Sequence, residues 1–142
     1  MKQDPGYLAE AFYDALNRGA LDEALELFST DCDFHEPVRG KIDFGQFRDN
    51  LIGLQAAFPD AKVIIESSII SGTTAAVEAT FAGWHTGPLV GPVAEFAATN
   101  KHLEMRFSVF IETADGKIVA HRTYFNQLDL VYQLNLFGEV GR

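Results

Sequence analysis

A single cysteine, Cys32, stands among the 142 residues, so no disulfide framework within the chain is available and nothing calls for an oxidising compartment. Basic residues are scarce: 11 Lys and Arg face 20 Asp and Glu, and they gather in no cluster. A net charge of −9 and a pI near 4.7 repel phosphate backbones, so nucleic acid is not an expected partner. Long apolar runs are missing as well. No segment approaches the roughly 20 apolar residues that cross a bilayer, and Met1-Lys2-Gln3-Asp4-Pro5 lacks the apolar stretch of a signal peptide. The expectation is a soluble protein of the cytoplasm with no membrane partner. There is no Gly-x-Ser-x-Gly elbow and no phosphate-binding glycine motif after a strand. Cys32 lies between Asp31 and Asp33, a setting that raises a thiol pKa and disfavours a nucleophile. His35, His85, His102 and His121 show no close ligand spacing, so no metal is expected.

What is present is a core. Hydrophobic residues make up 47% of the chain and 12 of them are Phe. A chain of this length buries roughly 68–70% of its unfolded surface as one domain, here taken as residues 1–142.

The order of patterns indicates α+β. Asp4-Pro5 is a helix start, with a capping side chain before Pro at the first helical position. Leu8, Phe12, Ala15 and Leu16 then recur at helical spacing up to Gly19, which suits a left-handed C-terminus. Leu21, Ala24, Leu25 and Phe28 form a second short stripe. Asp31 to Pro37 reads as a short strand, and Arg39-Gly40 continues into a loop. Phe44, Phe47, Leu51, Leu54 and Phe58 step by three and four, a third amphipathic helix stopped by Pro59-Asp60. From Ala61 the period changes to two. Val63–Ser71 and Ala75–His85 form one hairpin; His102–Glu112 and Lys117–Leu128 form another around Asp115-Gly116. Residues 86–98 read as a Gly/Pro loop, with Gly87, Pro88, Gly91 and Pro92. The tail from Asp129 to Phe137 suits a short helix or an extra strand.

The last hairpin does not alternate cleanly. Leu103, Met105, Phe107, Val109 and Ile111 make one apolar face, whereas His102, Glu104, Arg106, Ser108 and Phe110 make a mixed one. On the final strand both faces are mixed: Ala120, Arg122, Tyr124, Asn126 on one, His121, Thr123, Phe125, Gln127 on the other. A mixed face lines a partly polar cavity, or it is an interface or solvated surface. A slip of one residue in register exchanges the two. His35, at a strand end, reads either as a proton-transfer group or as a hydrogen-bonded rim histidine; His85 reads either as functional or as bracing the glycine-rich turn that follows.

Several motifs together resemble one family. Ala57-Phe58-Pro59-Asp60 opens the sheet, Gly83-Trp84-His85-Thr86-Gly87 ends the second long strand, and Asp115-Gly116-Lys117-Ile118 turns the last hairpin. Tyr124-Phe125-Asn126-Gln127-Leu128 and Gln133-Leu134 close the chain, while His35-Glu36-Pro37 with Gly40 marks the first strand. In this order and spacing they resemble the SnoaL-like polyketide cyclases of the nuclear transport factor 2-like superfamily. The resemblance implies a cone, a bent mainly antiparallel sheet wrapped around N-terminal helices, with a deep pocket for a hydrophobic oxygenated small molecule and a homodimer outside. It implies ring closure or isomerisation by acid–base chemistry without a cofactor, with a pocket carboxylate as base.

The sequence departs from that pattern at two positions, where Ala120 and Asn126 stand in place of the family's frequent acids. Asparagine has no basic site at neutral pH but holds a ketone, enol or water by hydrogen bonds. The remaining proton-transfer candidates are His35, His85, Glu36 and Glu104. The candidate site is therefore His35, His85 and Asn126 as the catalytic group, with Arg106, Arg122, Tyr124, Trp84 and Glu104 around the substrate. Two alternatives stay open: a binding or scaffolding protein that lost the acid pair, and an epoxide hydrolase-like enzyme using Glu104 or Glu36 beside Arg106.

Overall fold

The computed structural model describes residues 4–91 and 94–137. Helix α1 spans Pro5–Asn17, and Asp4 caps it by accepting from the Tyr7 amide at 2.7 Å. Gly19, at φ +74°, turns the chain out of it. Helix α2 is Leu21–Leu25 and helix α3 is Phe44–Ala57. Asp43 and Gln46 form a reciprocal cap at the start of α3, with bonds of 2.8 and 3.0 Å.

The strands are β1 (Phe28–Glu36), β2 (Gly40–Ile42), β3 (Lys62–Ser71), β4 (Thr74–Trp84), β5 (Leu89–Val90), β6 (Glu95–Phe96), β7 (His102–Ala114) and β8 (Lys117–Phe125). Gln127–Leu134 is helix α4. Strand β1 starts earlier than the sequence pattern indicates, Arg39-Gly40 leads into strand β2 rather than a plain loop, and the Gly/Pro loop carries the small β5–β6 ribbon. Pro92 of that loop lies outside the described residues.

Six strands form one sheet in the order β2-β1-β8-β7-β4-β3. All neighbours are antiparallel except β1 and β8, which run parallel. Register shifts interrupt β3 between Ile65 and Ser67, β8 between Ile118 and Ala120 opposite Glu112 and Thr113, and β1 between Phe28 and Asp33. Such irregularities bend strands and raise local twist, and the sheet curls strongly around the helices into a cone.

The concave side is the core. Helix α1 packs across β3, β4, β7 and β8, and α3 packs on β1 and β5. The rings of Phe12, Phe28, Phe34 and Phe47 meet at the centre; Phe34 stacks on Phe47 at 4.2 Å. Each fully buried Phe contributes roughly 1.5–3 kcal/mol through the area it removes from water. A second apolar cluster gathers Ala57, Phe58, Leu103, Met105 and Leu134 where α3 ends and α4 docks. Gln133 seats α4 on β7 by accepting from the Glu104 amide at 2.9 Å and donating to its carbonyl at 2.8 Å.

Candidate functional site

The face of the last strand is decided by His121. Its ring lies 5.9 Å from Phe12, 5.6 Å from Phe28, 6.1 Å from Phe34 and 5.1 Å from Phe47, so it points at the helices. Successive side chains alternate sides. Thr123 and Phe125 therefore face inward with His121, and Ala120, Arg122 and Tyr124 face outward. Pairing of Ile111 with His121 and Phe110 with Arg122 sets the same division on β7.

Most of the residues expected to line a pocket consequently sit on the convex surface. Arg122 donates to Glu112 at 2.6 Å and lies 5.9 Å over the Phe110 ring. Tyr124 is half exposed and meets Phe110 edge-on at 6.2 Å. Arg106 is exposed opposite Thr80, and Glu104 is exposed opposite Ala82. Trp84 is half exposed against His102, with ring centroids 5.0 Å apart. His35 is opposite Arg122 on the same outer face, its Nε2 3.4 Å from Asp33. These side chains spread over the outside of the sheet and do not converge on the interior. The mixed face is thus a surface rather than a cavity lining, because the register turns the other face inward.

Asn126 is the N-cap of α4: its Oδ1 accepts from the Leu128 and Asp129 amides at 3.0 and 3.4 Å. Ala120, the other departure from the family's acids, faces outward opposite Glu112 and Asp33. His85 is fully buried and braces the following loop. Its Nδ1 accepts from the Thr99 amide at 3.2 Å and lies 2.9 Å from the Thr99 hydroxyl, which leaves the ring proton on Nε2. Its backbone pairs with Asn100 and Lys101, and burial pushes its pKa below the ordinary value.

The polar groups that do face inward are different ones. His121 is 4% exposed, and burial lowers its pKa to about 3. Its Nε2 has no hydrogen-bond partner among the described residues, and its Nδ1 is 3.4 Å from the Thr123 hydroxyl. Glu36 follows outward-facing His35 and shares the inner side with Phe34, one step beyond the Phe34–His121 and His35–Arg122 pairs. It sits beside the position of Thr123. Its carboxylate accepts from the Val38 and Arg39 amides and from Arg39 Nε at 3.1 Å. Arg39 Nη2 in turn donates to Asn50 of α3 at 2.7 Å. Gln127 Nε2 donates to the Pro37 carbonyl at 3.1 Å and ties the same turn to the start of α4.

Between the two apolar clusters lies a seam that water reaches. Phe107, Thr123 and Phe125 of the sheet and Leu51 and Leu54 of α3 are only partly buried although they belong to the inner faces. Glu36 and Asn50, also partly buried, stand on the same strand and helix surfaces. A separate open groove of about 360 Å³ lies at the sheet edge between β1, β2 and the start of α3. Asp31, Asp33, Asp43 and Lys41 line it beside Cys32, whose thiol is pushed up to about 12 by burial and then by Asp33 and Asp31. That thiol is a poor nucleophile. Among the described residues no three His, Cys, Asp or Glu gather as a metal-ligand set, and no helix is long and apolar enough to cross a membrane.

In the sequence His121 is one of four histidines without ligand spacing, and Arg39 falls in a stretch patterned as a loop. The alternation of His121, Thr123 and Phe125 carries the signal for His121, but only a known register gives it a side. Arg39 and Asn50 are 11 residues apart and carry no local signal for the pair that the β1–β2 turn and α3 bring together.

The sequence profile of the SnoaL-like polyketide cyclases matches residues 7–134. No functionally curated protein matches the chain. Among solved structures, AclR from Streptomyces galilaeus superposes with a TM-score of 0.81 at 21% identity, over 92% of this chain and 94% of that one. TsrD from Streptomyces laurentii gives 0.77 at 19% identity over 92% and 94%. IdmH from Streptomyces antibioticus gives 0.76 at 22% identity over 92% and 98%. At these identities the likeness is one of fold.

Proposed function

Since the chain belongs to the SnoaL-like polyketide cyclase family, we propose that it is a cytoplasmic, cofactor-independent enzyme that performs acid–base chemistry on a hydrophobic oxygenated small molecule. The reaction class is aldol-type ring closure or isomerisation. The supporting observation is the inner side of the curl, where Phe107, Phe125, Leu51 and Leu54 are only partly buried and Glu36 and Thr123 share the inward face. Apolar walls with a few placed polar groups are what a small-molecule site requires.

Glu36 is the carboxylate on that inner side, so the proton-transfer role falls to it rather than to His35 outside or His85 in the loop brace. It removes a proton from the carbon next to a ketone, and the electrons move to the carbonyl oxygen as an enolate. General-base catalysis of this kind is worth about 10²–10⁴ in rate. Ala120 and Asn126 do not argue against it, because neither side chain occupies the inner face.

The test is deuterium exchange at the α-carbon of 2-tetralone, a hydrophobic ketone, followed by NMR in heavy water. Exchange above the buffer rate, lost in Glu36→Gln, supports the reading. Binding of 2-tetralone with exchange at the buffer rate would favour the non-catalytic alternative.

The partner in this reading is a second copy of the chain, on the convex sheet face. Ile64, Ile69, Phe110 and Tyr124 are exposed there, and small Ala76, Ala82 and Ser108 lie between them. Arg106 and Arg122 share this face with Glu78, Glu104 and Glu112. The reading calls for a twofold axis that sets the arginines of one copy against the glutamates of the other, since an interface of two like surfaces needs opposite charges to meet.

A further inference from the structure

The turn between β1 and β2 contains an assembly that neither capping nor core packing uses up. Glu36 is almost buried, with its side chain 13% exposed, and it holds Arg39 through the backbone amide and Nε. Asn50 holds the other end of the guanidinium by accepting from Nη2 at 2.7 Å. The guanidinium is thereby fixed in plane between a strand and a helix. Two sets of donors remain over. Arg39 Nη1 makes no hydrogen bond among the described residues, and Asn50 Nδ2, whose oxygen is committed to Arg39, makes none either. Asn50 stands on the α3 face that carries Phe47, Leu51 and Leu54, three residues after the first and four before the last. Asn50 therefore stands on the seam side of the helix, and its bond to Nη2 holds the Arg39 guanidinium, with a side chain 30% exposed, at the same edge.

We propose that Arg39 and Asn50 form an oxygen-binding bracket that takes the carbonyl group of the substrate. The inference rests on the reading above, in which the seam holds an oxygenated apolar molecule. The chemistry follows from the donor set. Both groups have only N–H to offer a ligand, so they select an acceptor. The carboxylate of Glu36 offsets the guanidinium charge locally, which suits a neutral ketone, ester or quinone oxygen that gains negative charge as an enolate better than a fully charged phosphate. Donors held before the reaction stabilise developing charge without reorganising. The same Glu36 that anchors Arg39 then stands next to the carbon that loses its proton.

The experiment compares 2-tetralone with tetralin, its carbonyl-free counterpart, by calorimetric or ligand-observed NMR titration. The variants are Asn50→Asp, which keeps an oxygen for Arg39 Nη2 but removes the amide donors, and Arg39→Gln. In the unsubstituted protein the ketone should bind at least about tenfold more tightly than the hydrocarbon, the scale of a charge-assisted hydrogen bond. In both variants that preference should vanish while tetralin affinity stays within about twofold, which also reports that the interior is intact. A tenfold preference retained in either variant would overturn the bracket. Equal binding of the two ligands by the unsubstituted protein would overturn it too, and leave the interior as a purely apolar site. If neither ligand binds, the reading of the seam as a small-molecule site fails along with it.

Discussion

Acidification should weaken this fold through His121 in a way that a single substitution removes. The imidazole is enclosed by four phenylalanine rings and its pKa falls from 6.5 to about 3 because burial disfavours the charged form. Between those values the unfolded chain takes up a proton that the folded chain refuses. Stability is therefore complete above roughly pH 7 and declines as pH drops below 6.5. At about pH 5 the loss is RT ln(1 + 10^1.5), about 2 kcal/mol, and it levels off near 5 kcal/mol below about pH 3. His121→Leu keeps nearly the same volume without a titrating group. Urea unfolding followed by far-ultraviolet circular dichroism at about pH 7.5 and pH 5 gives the difference for each protein. The variant should lose about 2 kcal/mol less on acidification than the parent, whatever its absolute stability. Carboxylates and His85 cancel in that double difference. Equal pH dependence in the two proteins would refute the argument, because His121 would then be titrating in the fold as it does in the open chain.

Other perturbations test the packing and the surfaces. Phe47→Ala should cost about 3–5 kcal/mol in denaturant titration, since Phe47 is 7% exposed and contacts Phe34, Phe12, Phe28 and His121; a loss under about 1 kcal/mol would mean that the helix face is not buried. Asn126→Ala should destabilise by about 1 kcal/mol as a lost helix cap, with Asn126→Asp near neutral; 2-tetralone exchange that falls in both variants while stability holds would instead assign Asn126 to the chemistry. Phe110→Glu should shift a dimer to monomer in sedimentation analysis and leave 2-tetralone binding in place, and an unchanged oligomeric state would remove the convex face as the contact.

Much of the architecture was legible in the residue pattern because its causes are local. Asp4-Pro5 starts a helix through a side-chain bond within one turn, and both hairpin turns carry glycine at positive φ, Gly72 and Gly116. Strand β2 was not legible. Its three residues have no period to read, and pairing with Phe34, His35 and Glu36 creates it. The candidate site was legible in part. Glu36 stood among the proton-transfer candidates, and the SnoaL-like motifs pointed to the cone. The list of His35, Arg106, Arg122, Tyr124, Trp84 and Glu104 followed the mixed face, and that face turned outward.

By itself, then, the sequence determined the α+β order, the Asp4 cap of the first helix, the hairpins and the phenylalanine-rich core, each of which depends on neighbours a few residues apart. The tertiary structure alone decided which side of β8 faces the helices. Both sides of that strand mix polar and apolar groups, so neither its period nor its composition distinguishes them. The bulge opposite Glu112 and Thr113 sets the register, and the four rings around His121 make only one side of it buriable. The bond from Arg39 to Asn50 depends on the same long-range fact, because a turn and a helix meet there only after the sheet has curled.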